Sequence, residues 1–67
     1  MTTPFNYRGT PLKYRPMVYT IRRYAEASAA RCLRPHRVIL DAARGNYIVV
    51  CPADARRLIR DGGLQYA

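Results

Sequence analysis

A chain of 67 residues with 12 basic and 4 acidic side chains, net charge +8, has room for one domain with a marginal core. Its two cysteines, Cys32 and Cys51, allow one disulfide at most, which excludes a disulfide-rich secreted scaffold. The longest apolar run, residues 47–51, is far short of the roughly 20 residues that cross a bilayer, and the opening residues lack a charged start followed by an apolar stretch. No membrane partner is expected, and a reducing cytoplasm is the expected compartment.

Residues 1–16 read as a basic N-terminal arm containing proline and tyrosine, ahead of one compact domain over 17–67. Pro4, Pro11, Pro16 and Gly9 forbid a helix there and disfavour a central strand. Phe5, Tyr7, Leu12 and Tyr14 imply that parts of the arm lie on the domain or on a partner. Residues 19–33 fit a helix. Ile21, Tyr24, Ala25, Ser28, Ala29 and Cys32 form one stripe at helical period, Thr20 suits the N-cap and Pro35 ends the run. A competing reading makes residues 17–22 a strand before a shorter helix from Glu26, because Val18, Thr20 and Ile21 are β-branched.

Residues 37–51 read as a hairpin of two β-branched and aromatic runs, with Gly45 at the left-handed position of the turn. Setting Ala42 opposite Asn46 pairs Leu40 with Ile48 and Val38 with Val50 on one face. Ile39, Tyr47, Val49 and Cys51 then make a second face too apolar to stay bare, so the arm or a second copy should cover it; a homodimer is a candidate. Residues 52–61 are the clearest helix. Pro52 suits the first position, Asp54 faces the dipole, Ala55, Leu58 and Ile59 point inward, and Gly62 ends it with Leu64 folding back. Residues 64–66 add a strand antiparallel to 38–41. The expected fold class is α+β: arm-α-β-β-α-β, a short mainly antiparallel sheet with both helices packed on one face. Its core should comprise Ile21, Tyr24, Ala25, Cys32, Leu33, Val38, Leu40, Ile48, Val50, Ala55, Leu58, Ile59 and Leu64.

The charge is unevenly placed. Through Arg37 there are eight basic residues and one acid, Glu26; beyond it four arginines face three aspartates. Eleven of the twelve cations are arginine, whose planar fork suits phosphate or carboxylate and stacks on rings. Tyr7, Arg8, Lys13, Tyr14, Arg15, Arg22, Arg23 and Arg31 interleave cations with rings: the cations neutralise phosphates, and the tyrosines stack on unpaired bases.

Catalysis is not expected. His36 is the one histidine, with no carboxylate and nucleophile grouped near it, and a core this small leaves little room for a pocket of a few hundred cubic ångströms. Cys32, His36, Cys51 and Asp54 match no standard zinc spacing, so no metal and no cofactor are expected. The expected function is that of a small basic non-enzymatic protein contacting nucleic acid as a regulator or accessory factor. The rival is a small phage- or plasmid-type protein that binds and inhibits or modulates an acidic protein partner, as anti-CRISPR inhibitors do.

Overall fold

A computed structural model describes residues 5–67. The elements are β1 (Phe5–Tyr7), β2 (Thr10–Leu12), β3 (Met17–Tyr19), α1 (Arg22–Arg31), β4 (Arg37–Asp41), β5 (Asn46–Val50), α2 (Pro52–Arg60) and β6 (Gln65–Tyr66). β1 and β2 form a two-stranded antiparallel sheet; the other strands make a four-stranded antiparallel sheet in the order β3-β5-β4-β6. The α+β class stands, and β6 pairs antiparallel with β4 as the sequence implied.

The two helices take opposite faces of the sheet, which corrects the expectation of a single helical face. β3 and β4 both run antiparallel to β5, so β3-α1-β4 is a parallel crossover that skips one strand. β5-α2-β6 is a second such crossover, displaced in the same direction across the sheet but starting from a strand of opposite sense. If both connections obey the right-handed rule, their helices must lie on opposite sides. The side chains agree. Ile39, Ile48 and Val50 pack with Ala55 and Leu58 of α2. Met17, which shares the opposite face with its pairing partner Val49, accepts a hydrogen bond at Sδ from Ser28 Oγ of α1, 3.6 Å.

Residues 5–12 of the expected arm fold into a hairpin, and Pro4 lies outside the described residues. Arg8 and Gly9 both adopt positive φ, +49° and +88°, the pattern of a type I′ turn, and Tyr7 pairs with Thr10 across it. Phe5 and Tyr7 pack against the core, and Leu12 is fully buried within it. Pro11 is tolerated because β2 belongs to a separate pair of strands.

The β4–β5 pairing differs from expectation by one residue. Asp41 faces Asn46 and Ile39 faces Ile48, so residues 42–45 form the loop, with Arg44 N–H donating to the Asp41 carbonyl and Gly45 at φ +66°. The slip turns β4 over: Ile39 enters the α2 core, while Val38 and Leu40 turn towards α1 and are only partly buried. Val49 is buried on the α1 side, so a helix covers that face in place of the arm or a second copy.

α1 starts at Arg22, after the strand β3; its N-cap is Ile21, with no side-chain cap. Thr20 is therefore not the cap. Of the expected stripe only Ala25 and Ser28 are buried, with Ile21 and Tyr24 about half exposed, and Leu33, expected in the core, is fully exposed. Small residues let α1 lie close to the sheet, and the large ones stay at its margins. α2 ends with Asp61 at the C-cap; Gly63, at φ +70°, takes the left-handed position, and Leu64 N–H returns to the Leu58 carbonyl.

Candidate functional site

Chain direction brings cations to one end of the sheet. β3 and β4 both begin where β5 finishes and α2 starts. α1 runs back to that end, as the Ser28–Met17 contact shows. Arg15 just precedes β3, Arg31 closes α1, and Arg34 and Arg37 lead into β4. Lys13 and Tyr14 are held there too, because their backbone N–H groups donate to Asp54 Oδ1 and Oδ2 at 2.9 and 3.2 Å in the first turn of α2. His36 lies in the same stretch, with Nδ1 2.8 Å from the Arg34 carbonyl; that oxygen only accepts, so Nδ1 carries the proton.

Ion pairing sharpens this asymmetry. Each acid pairs with one arginine: Arg22–Glu26 at 3.5 Å, Arg44–Asp41 at 3.3 Å, Arg57–Asp54 at 3.8 Å and Arg60–Asp61 at 3.1 Å. The eight remaining cations, equal in number to the net charge, have no carboxylate partner among the described residues. Five of them, Lys13, Arg15, Arg31, Arg34 and Arg37, belong to this basic end. Asp54, the acid at that end, is fully buried and engaged by two amides and Arg57.

Rings accompany the cations. Lys13 Nζ lies 5.6 Å from the Tyr14 ring centroid, and the Arg15 guanidinium carbon 5.8 Å from that of Phe5. Tyr14 is still 48% exposed, leaving ring surface for a base.

Of the residues singled out from sequence, the structure thus gathers Lys13, Tyr14, Arg15 and Arg31. Arg22 and Arg23 sit at the other end of α1, where Arg22 is paired and Arg23 lies 5.5 Å from the Tyr24 ring. Arg34 and Arg37 do not take part in the basic–aromatic interleaving; the acid-free stretch Arg31–Arg37 is the sequence signal that points to them.

Tyr7 and Arg8 lie at the opposite end, beside the β4–β5 turn. The Tyr7 hydroxyl donates to Asp41 Oδ2 at 2.7 Å and accepts from Asn46 Nδ2 at 3.2 Å, so it is committed within the fold. The Tyr7 hydrogen bond, the largest influence, holds the buried Asp41 carboxyl below its ordinary range, and the Arg44 charge adds to it against burial. Burial, foremost, pushes the Tyr7 phenol up.

A cleft of about 310 Å³ opens there, lined by Tyr7, Arg8, Thr10, Asp41, Arg44 and Leu58, with Gly62 and Leu64 completing the wall. The sequence reading left little room for a cavity of this size. The space comes from the β1–β2 hairpin standing beside the end of α2, an arrangement that an extended arm does not suggest.

Among the described residues no three of His, Cys, Asp and Glu gather as a metal-binding group, both cysteines are free thiols, and no helix is long and apolar enough to cross a membrane. Comparison with protein-family models, curated proteins and solved structures finds no match for this chain.

Proposed function

We propose that this protein binds nucleic acid through the basic end of its sheet, as a regulator or accessory factor and not as an enzyme. The observation that carries the reading is the convergence of Lys13, Arg15, Arg31, Arg34 and Arg37, none paired with a carboxylate among the described residues, around one end of a small sheet. Cations in such an array neutralise successive phosphates and release condensed counterions, which supplies affinity without base readout. Tyr14 adds a stacking surface, about 1–3 kcal/mol per stacked base on a single strand. Fluorescence anisotropy on duplex and single-stranded probes tests the reading. Tyr14→Ala should weaken single-strand binding and leave duplex binding nearly unchanged; absence of binding to either probe at low salt removes the proposal.

A second reading, an acidic protein partner, draws on Leu33. This side chain is fully exposed between Arg31 and Arg34. An apolar anchor ringed by cations suits a protein interface better than a phosphate backbone. Pull-down with and without nuclease separates the two: a partner that survives nuclease and is lost in Leu33→Ala favours the protein.

A further inference from the structure

We propose that the cleft beside the β1–β2 turn is a separate binding site for a phosphomonoester, with Arg8 and Arg44 as its two phosphate ligands. The site lies at the opposite end from the basic cluster, so it does not depend on the nucleic-acid reading.

Three features support the assignment. The first is convergence: two turns distant in sequence, β1–β2 and β4–β5, each deliver one arginine to a cavity of about 310 Å³, at the lower edge of the range small-ligand sites occupy. Two guanidinium forks offer the parallel N–H donors that phosphate oxygens accept. The second is the conformation of Arg8. Its φ of +49° lies in the left-handed region, at a turn position that glycine or asparagine fills at lower cost. Backbone strain at a residue lining a cavity is the pattern expected where the side chain serves a ligand. Arg8 also has no carboxylate partner among the described residues.

The third is the framing of the walls. A Cβ on Gly62 would stand 2.7 Å from the Leu58 carbonyl oxygen and 3.2 Å from Thr10 Oγ1, so only glycine lets the end of α2 close against β2. Asp41 is the one negative group in the lining. Its Oδ2 accepts from the Tyr7 hydroxyl and from Arg44 at 3.3 Å. That contact orients Arg44 while its guanidinium keeps further donors, and the cleft retains one net positive charge from Arg8.

The test is titration of the full chain, followed by amide chemical shifts, with inorganic phosphate, adenosine 5′-monophosphate and adenosine at constant ionic strength. Saturable shifts at Arg8, Gly9, Arg44 and Gly62 are expected with the two phosphates and none with adenosine. Arg8→Gly suits the backbone at this position, so it should keep or raise the melting temperature while weakening phosphate binding at least tenfold. The same variant should bind long duplex as the parent does, whereas replacing Arg31, Arg34 and Arg37 with Ala should leave phosphate binding in place. A 5′-phosphorylated dinucleotide that binds as the monophosphate does would place the group at a strand end, and one that is excluded would place it on a free nucleotide; both support the site. Shifts confined to the basic end, equal binding of adenosine, or unchanged affinity in Arg8→Gly would overturn it.

Discussion

Tyr7 and Asp41, 34 positions apart in sequence, are joined by a 2.7 Å hydrogen bond that ties the N-terminal hairpin to the central sheet. Asp41 is 1% exposed, and its charge is satisfied by this phenol and by Arg44. Removing the phenol oxygen leaves a buried carboxylate one donor short. Tyr7→Phe should therefore cost about 1.5–3 kcal/mol, the usual range for a hydrogen bond to a charged group. Chemical denaturation measures it; a variant as stable as the parent would mean the hairpin is held by apolar contacts alone.

The same pair sets a pH window. Asp41 has a lowered folded pKa, so its contribution is present above the ordinary carboxylate value of about 3.9 and is lost as pH falls through the lowered one. Tyr7 has a raised pKa, so its contribution is present below about 10 and is lost as pH climbs through the raised value. Melting temperature against pH should be level between these limits and fall on both sides. Asp41→Asn should soften the acid limb, and Tyr7→Phe should soften both, because it removes the alkaline group and the hydrogen bond that chiefly lowers Asp41.

Leu12 tests whether the hairpin belongs to the core. It is completely buried beside Ile39, Ile48 and Leu58. Leu12→Ala should cost about 2–5 kcal/mol, as should Leu58→Ala, a large share of the stability of so small a domain. Deleting residues 1–16 should then unfold the chain. A truncated protein that melts cooperatively near the parent temperature would show that the sheet and helices stand alone.

Asp54 links fold to site. Its buried carboxylate holds the amides of Lys13 and Tyr14. Asp54→Ala should destabilise the protein and, at temperatures where it remains folded, speed hydrogen exchange at those two amides and weaken single-strand binding. Unchanged exchange there would remove the positioning role.

Some of this was legible in the sequence and some was not. α2, its inward residues Ala55 and Leu58, the Gly45 turn and the β6–β4 pairing follow from helix punctuation and turn chemistry. The register of β4 against β5 did not. Both central strands are covered by a helix on each side, so Val38, Ile39 and Leu40 are all apolar and alternation cannot choose between adjacent registers. The β1–β2 hairpin was hidden by its prolines, although Phe5-Asn6-Tyr7 alternates at strand period. The site was half legible: Lys13, Tyr14, Arg15 and Arg31 stood out as basic–aromatic interleaving. Arg34 and Arg37 join them through the return of α1, a tertiary relationship that residue spacing does not express.

The most direct test of the central claim is the salt dependence of binding to a generic duplex. Four to five phosphate contacts predict a log–log slope of roughly −3 to −5, because each contributes about −0.9. Replacing Arg31, Arg34 and Arg37 with Ala should flatten the slope by about two to three, equally across unrelated sequences. Replacing Arg57 and Arg60, which are paired with Asp54 and Asp61, should change it little. Binding that is indifferent to salt, or a slope unmoved by the triple replacement, would contradict the account.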